Sequence, residues 1–336
     1  MRLGVLDVGS NTVHLLVVDA HRGGHPTPMT SEKDPLRLAE HLEKDGSLGR
    51  CGADALVRVV EKARLAAEKA KCDDLLAFAT SALRDATNSA AVLARVREET
   101  GVALEVLPGD DEARYTFLAV RRWLGWSAGR LTVLDIGGGS LELASGRDEH
   151  PASAVSLPLG AGRLTRDFFV ADPPTRAEIA VLREKVDADI AGVADRFLDA
   201  GAPDVAVGTS KTFRSLARLT GAVPYSAGPR ARRELTHAAL RQLVSFVSRM
   251  SSEDIAELEG VSPGRSRQLA AGALVAEAAM RALKIDTVQI CPWALREGVI
   301  LRRLDTLDGS AQTDRSAQDS PGTLGRLTPF GARCAG

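Results

Sequence analysis

Val133-Leu134-Asp135-Ile136-Gly137-Gly138-Gly139-Ser140-Leu141-Glu142 reads as the end of a buried strand, a tight glycine turn and the start of a returning strand. The apolar run begins at Leu131, and the returning run continues to Gly146. Glycines at such a turn let the backbone come close to a ligand, with N–H groups free to point at an anion. Asp135 and Glu142 flank the turn, where a divalent cation could sit between them and a bound phosphate. Taken alone, the stretch reads equally well as an ordinary Gly-rich hairpin.

A second copy shifts that balance. Arg2-Leu3-Gly4-Val5-Leu6-Asp7-Val8-Gly9-Ser10-Asn11-Thr12 is again an apolar run, an Asp and a Gly-containing turn, followed by a second apolar run from Val13 to Val18. Asp7 and Asp135 are 128 positions apart (135 minus 7). Two strand–Asp–turn–strand units, each opening about half of the chain, look like an internal duplication. Two facing turns of this kind would each supply N–H donors to one polyanionic ligand.

The 336 residues, 44% hydrophobic and 26% charged, are enough for a sizeable core divided between two domains. A net charge of −1 gives no global attraction to nucleic acid or membrane, so neither is expected as a partner and any anion site must be local. Cys51, Cys72, Cys291 and Cys334 are scattered without a CxxC, which argues against a zinc site or a disulfide framework. No apolar run reaches the ~18 residues a membrane span needs, and no signal-like segment opens the chain. The expectation is a soluble cytoplasmic protein.

Strands alternate with helices along the chain, predicting an α/β layer fold. After the first hairpin, His21 to Thr30 reads as a Gly/Pro turn region. Residues 52–71 form an amphipathic helix, 75–79 a buried strand leading into Thr80-Ser81-Ala82-Leu83-Arg84, and 89–100 a helix. A short strand at 104–107 ends at Pro108-Gly109, and Asp110-Asp111-Glu112 open a helix to about Trp123. In the second half Thr175 and Glu178 form a capping box for a helix to about Leu198. A strand at 204–207 leads through Gly208-Thr209-Ser210-Lys211-Thr212 into a helix ending near Leu219. An Ala-rich helix spans 264–283, a strand 287–291 and a last helix 293–304. The expected domains are 1–125 and 126–305, the last helix packing back on the first, with a disordered tail over 306–336.

Neither glycine turn is GxGxxG, and Gly208-Thr-Ser-Lys-Thr lacks the glycines of a P-loop, so dinucleotide and Walker-type sites are not expected. Glu112 is the best candidate base, in the first turn of its helix beside Asp110 and Asp111. Acidic residues there also simply complement the helix dipole, and the same dipole favours the ionised form that a water-activating carboxylate needs. Arg84 is either a bidentate phosphate clamp or a surface partner of Asp85. Lys211, Arg214 and Arg218, with Arg230, Arg232 and Arg233, are either solvated faces or a track for a long polyanion.

Together, Asp7-Val-Gly-Ser-Asn-Thr12, Thr80-Ser-Ala-Leu-Arg84, Gly109-Asp-Asp-Glu-Ala-Arg114, Asp135-Ile-Gly-Gly-Gly-Ser-Leu-Glu142 and Leu295-Arg-Glu-Gly298 resemble the motifs of the exopolyphosphatase and guanosine pentaphosphate phosphohydrolase (Ppx/GppA) family, in order over residues 1 to about 305. The likeness is to its short, two-domain actinobacterial type. The resemblance implies a duplicated ribonuclease-H-like fold of the actin and sugar-kinase superfamily, with the active site in a cleft between two domains. It implies release of the terminal phosphate of inorganic polyphosphate with Mg²⁺, or of guanosine pentaphosphate in the stringent response, by a homodimer; a non-catalytic sensor of such ligands is the remaining alternative. By the same resemblance Glu112 is the general base and Arg84 contacts phosphate, while Gly9, Ser10, Asn11, Thr12, Gly137, Gly138, Gly139 and Ser140 hold phosphates. Asp135 and Glu142 position metal and water, and Asp7 is a further candidate metal ligand. Three positions depart from the family pattern: Gly208-Thr-Ser-Lys-Thr stands for a Gly-Gly-Thr turn, Asp111 for Glu and Cys291 for Ser. A short polar tail in place of extra C-terminal domains predicts a preference for short polyphosphate.

Overall fold

A computed structural model describes residues 1–21 and 23–312, with side chains through 307. The chain divides into an N-terminal unit, Met1–Pro108 joined by the chain from Arg296, and a C-terminal unit, Gly109–Leu295. In the first, β1 (Arg2–Val8), β2 (Thr12–Asp19), β3 (Pro28–Pro35), β4 (Asp74–Ala79) and β5 (Glu105–Val106) form a sheet in the order β3-β2-β1-β4-β5. The second holds β6 (Leu131–Ile136), β7 (Leu141–Gly146), β8 (Ser153–Leu157), β9 (Val205–Gly208), β10 (Glu234–Thr236) and β11 (Thr287–Ile290), in the order β10-β11-β9-β6-β7-β8. Setting β6, β7, β8, β9 and β11 against β1 to β5 reproduces both the order and the directions. Each sheet has an antiparallel three-strand meander continued by two parallel strands. This is the duplicated α/β, ribonuclease-H-like fold; β10 is an antiparallel addition at one edge.

The central strands are apolar on both faces because both faces are covered, which is why their sequences read as runs rather than alternations. In the N-terminal unit α1 (Arg50–Lys69) turns Ala53, Leu56, Val60, Ala63 and Ala67 toward Leu6, Val8, Val13, Leu15 and Val17. The spacing is that of one helical stripe, and each fully buried Leu or Val there contributes roughly 1.5–3 kcal/mol. Short α2 (Ser81–Arg84) and α3 (Ser89–Thr100) follow β4, and α3 buries Val92 and Val96 in the same core.

The last helix of each half is exchanged. Helix α4 (Gly109–Leu124) follows β5 yet belongs to the C-terminal unit, where Ala113, Phe117 and Val120 pack on Leu131, Val133, Ala144 and Val207. Arg121, buried near the end of α4, donates to the carbonyls of Gly125, Gly129 (2.6 Å) and Gly146. The opposite face of that sheet is covered by α5 (Ala161–Phe168), α6 (Arg176–Leu198), α7 (Ser210–Leu219), α8 (His237–Val247), short α9 (Ser252–Ala256) and α10 (Leu269–Ala282). Every residue of α10 from Leu269 to Met280 is buried, and its small side chains allow close approach: a Cβ at Gly272 would lie 2.7 Å from Thr212 Cγ2. The last helix, α11 (Leu295–Gln312), lies from Arg296 onward in the N-terminal unit, where Arg303 Nη2 donates to Asp74 Oδ2 at 2.8 Å.

Three stretches assigned from the sequence have other bounds or another conformation. Strand β3 begins at Pro28, inside the region expected to be a turn, and continues through Met-Thr-Ser-Glu-Lys-Asp to Pro35. It is an exposed edge strand, so it lacks the apolar signal of a strand, and its charges and prolines suit an edge. The Ala-rich helix begins at Leu269, after a 3-10 segment over Pro263–Gln268. Helix α11 continues to Gln312, past the expected start of the tail; the rest of that tail lies outside the described residues. No helix among the described residues is long and apolar enough to cross a membrane.

Candidate functional site

The C-terminal hairpin carries a row of four polar side chains. In the antiparallel pairing of β6 with β7, Asp135 lies directly opposite Glu142, and Glu142 lies opposite Ser156 on β8. Beyond β6, Leu134 pairs with Gly208, which brings Thr209 beside Asp135. Ser156 Oγ donates to Glu142 Oε1 at 2.9 Å and Thr209 Oγ1 donates to Asp135 Oδ2 at 2.6 Å. Each carboxylate thus has an outer hydroxyl donor, and between them two like charges face across the ladder, an arrangement that is unfavourable without a counter-charge.

Strand alternation says which face this row occupies. Leu131 and Val133 point to α4, so Asp135 does too; Ala144 points to α4, so Glu142 does. Arg121 anchors the C-terminal half of α4 at the Gly129 and Gly146 end of the strands. The first turn of α4, with Glu112, therefore lies toward the opposite end, where Asp135 and Glu142 stand. Glu112 is buried, at 6% exposure, and Asp111 beside it is paired with Arg114 at 2.9 Å. The structure thus brings three sequence-selected carboxylates, Glu112, Asp135 and Glu142, to one end of one sheet face.

The turn itself is closed by Gly137 N donating to Ser140 O at 2.9 Å. Its carbonyls are taken up from behind by the start of α5. Ala161 N donates to Gly137 O at 3.0 Å, Arg163 N to Gly138 O at 2.9 Å and Arg163 Nε to Gly139 O at 2.8 Å. A side chain at Gly160 would run into the Gly139–Ser140 backbone, so only glycine permits this approach. In a trans peptide the N–H opposes the C=O. The N–H groups of Gly138, Gly139 and Ser140 are therefore directed away from α5, a nest suited to an anion.

After β9 the chain turns through Thr209, which is wholly buried, and Ser210, whose φ of 61° is left-handed. Helix α7 then presents Arg214. Arg265, on the 3-10 segment before α10, lies near both Arg214 and Asp135; burial and the like charge of Arg214 push its pKa down, opposed by Asp135. Sequence reasoning missed Arg265, Arg163 and Ser156, which act through tertiary neighbours. The one local trace is the glycine pair Gly160 and Gly162 just before Arg163.

In the N-terminal unit the turn Gly9–Thr12 is closed in the same way, Gly9 N donating to Thr12 O at 3.1 Å, and Ser10 Oγ meets Ser81 Oγ at 2.9 Å. Backbone N–H groups hold its carbonyls, Arg37 N on Asn11 O and Ala39 N on Ser10 O. Asp7 receives a hydrogen bond from Arg296 Nη1 at 3.0 Å. Burial pushes the Asp7 carboxyl up, and Arg296 opposes that shift. Opposite Asp7 stands His14, whose Nε2 is 2.7 Å from Ser31 Oγ. Arg84 is half-buried at the end of α2, donating from Nη1 to Leu107 O at 3.2 Å, with Asp85 3.6 Å from its Nε.

No group of three or more His, Cys, Asp or Glu among the described residues is arranged to hold a metal ion. Asp135 and Glu142 offer two facing carboxylates, a donor set that fits a hard divalent cation completing its shell with water and phosphate oxygens. Asp7 is already engaged by a guanidinium.

Comparison with known proteins bears on family and fold. The Ppx/GppA phosphatase family matches residues 17–307. Exopolyphosphatase 1 of Mycobacterium tuberculosis (strain ATCC 25618 / H37Rv) is 63% identical over 318 residues, 94% of this chain and 92% of that protein. Exopolyphosphatase 1 of Mycobacterium leprae (strain TN) is 61% identical over 323 residues, 96% of this chain and 95% of that protein. The crystal structure of the Aquifex aeolicus member of the Ppx/GppA family superposes with a TM-score of 0.77 at 27% identity, covering 92% of this chain and 99% of that one. Duplicated sheets, glycine turns ending in acidic strands and a match along nearly the whole chain lead to one assignment: the chain belongs to the Ppx/GppA phosphatase family.

Proposed function

We propose that the chain is an exopolyphosphatase, hydrolysing the terminal phosphoanhydride bond of inorganic polyphosphate. The observation that carries this reading is the placement of Glu112, Asp135 and Glu142 at one end of one sheet face in the C-terminal unit, beside a turn with three outward N–H groups. Relatives more than 60% identical that bear the name exopolyphosphatase support it.

Glu112 accepts a proton from water as the water oxygen attacks the terminal phosphorus. The bond from that phosphorus to its bridging oxygen breaks, the electron pair leaves on the shortened chain, and orthophosphate departs. The helix dipole at the start of α4 favours the ionised Glu112 this step needs. N–H groups of Gly138, Gly139 and Ser140 hold phosphate oxygens in the C-terminal unit; those of Ser10, Asn11 and Thr12 form the candidate cradle of the N-terminal unit, in the turn that Gly9 N closes on Thr12 O. Arg214 and Arg265 balance phosphate charge at the C-terminal cradle, and Arg84 is the candidate phosphate contact of the N-terminal unit. Mg²⁺ is the proposed cation; held by Asp135 and Glu142, it supplies charge neutralisation at the phosphate oxygens. A cytoplasmic homodimer is the proposed working form, checked by sedimentation and fractionation.

The test is phosphate release from polyphosphate, guanosine pentaphosphate and ATP by the wild type and Glu112→Gln. Polyphosphate is expected to be the best substrate, with Glu112→Gln lowering kcat by on the order of 10²–10⁴-fold. Faster turnover of guanosine pentaphosphate would move the reading to nucleotide phosphohydrolysis. Tight binding without any turnover would make the protein a sensor.

A further inference from the structure

We infer that Arg163 is a positioning residue for the phosphate cradle, setting the direction of the Gly139–Ser140 peptide through its guanidinium. This rests on reading the Gly137–Ser140 turn as the cradle. Ala161 and Arg163 hold the carbonyls of Gly137 and Gly138 through backbone N–H groups, which would survive a change of side chain. Arg163 Nε to Gly139 O at 2.8 Å is made by a side chain and would not.

That side-chain bond matters because of what it holds. Glycine has no Cβ to restrict its peptide planes, and a run of three can rotate out of the nest conformation at little cost. Gly139 O shares its plane with the N–H of Ser140, the last donor of the nest, so fixing one fixes the other. In the N-terminal turn the corresponding carbonyl, that of Asn11, is held by the backbone N–H of Arg37, and the turn residues Ser10 and Asn11 carry side chains that restrict them. The all-glycine turn lacks that restraint, and the Arg163 side chain supplies it. The guanidinium also places a positive charge behind the cradle, of the sign a phosphate requires.

The test compares wild type, Arg163→Ala and Arg163→Lys in steady-state phosphate release from polyphosphate and in calorimetric binding of inorganic phosphate, with thermal unfolding as a control. Arg163→Ala is expected to raise KM for polyphosphate and weaken phosphate binding together by about 10–100-fold, the range for residues that orient a ligand-binding group. The kcat should fall less than kcat/KM, and millimolar guanidinium should restore part of the loss. Arg163→Lys, which keeps the charge without the planar donor, should lie between the two. Unchanged KM and phosphate affinity in Arg163→Ala would overturn the inference. So would a loss that guanidinium does not relieve and that follows the unfolding temperature. Failure of the functional reading looks different: wild type would release no phosphate from polyphosphate, while weakened phosphate binding by Arg163→Ala would still support the role of Arg163 in an anion cradle.

Discussion

In the N-terminal hairpin Asp7 lies opposite His14 and is engaged by Arg296; in the C-terminal hairpin the same place is taken by Asp135, opposite a second carboxylate, Glu142. The backbones match closely. Both turns close with the same N–H to C=O bond, and the threonines after β4 and β9 share a conformation, with φ, ψ of −116°, −154° at Thr80 and −110°, −153° at Thr209. What differs is charge and reach. The acid of the first hairpin is bound by a guanidinium, whereas in the second two acids face each other and each accepts from a hydroxyl. Strand β4 also extends further than β9. Thr80 N bonds to Val8 O, above Asp7, whereas Thr209 N bonds to Leu134 O, below Asp135. Ser81 therefore reaches the turn residue Ser10, and Thr209 reaches the carboxylate. On the proposed reading, the first copy is a cradle whose acid is already engaged by Arg296, and the second is the one that calls for a cation.

The strongest way to break this comparison is to make the second hairpin like the first. Glu142→His should lower phosphate release by on the order of 10²–10³-fold and abolish its dependence on added Mg²⁺, measured by titrating the cation. A variant with wild-type rate and cation dependence would end the distinction. A smaller change sharpens it. Thr209→Val removes the donor to Asp135 and should reduce kcat by roughly tenfold, as loss of an orienting partner does. Thr80→Val, at the matching place in the first copy, should leave kcat little changed. The least effect concerns backbone strain. Ser210 and Arg37 both hold left-handed φ, 61° and 48°, where a side chain costs roughly 1–2 kcal/mol. Ser210→Gly and Arg37→Gly should each raise the denaturant midpoint, by up to about 1 kcal/mol once the added freedom of the unfolded glycine is deducted; no shift in either would mean the turns are unstrained.

The two hairpins were legible because everything that defines them is local: apolar runs, an Asp, then glycines. The capping box was legible for the same reason, Thr175 and Glu178 meeting as their spacing predicts. Strand β3 was hidden because an edge strand exposed on both faces has no hydrophobic pattern to read. Helix α5 is short and was missed, and Arg163 with it. Ser156 and Thr209 owe their partners to strand register, and Arg265 owes its neighbours to a segment far along the chain. The unit to which α4 belongs was equally hidden, since an amphipathic stripe announces burial without naming the sheet that receives it.

That exchange of helices bears on how the protein is made. Asp7 leaves the ribosome 289 residues ahead of its partner Arg296, the first residue of α11 to belong to the same unit. The first unit therefore cannot be completed until residue 296 and those after it have been made. A chain arrested before residue 296 should be a client for chaperones and proteases rather than a ready-made first domain.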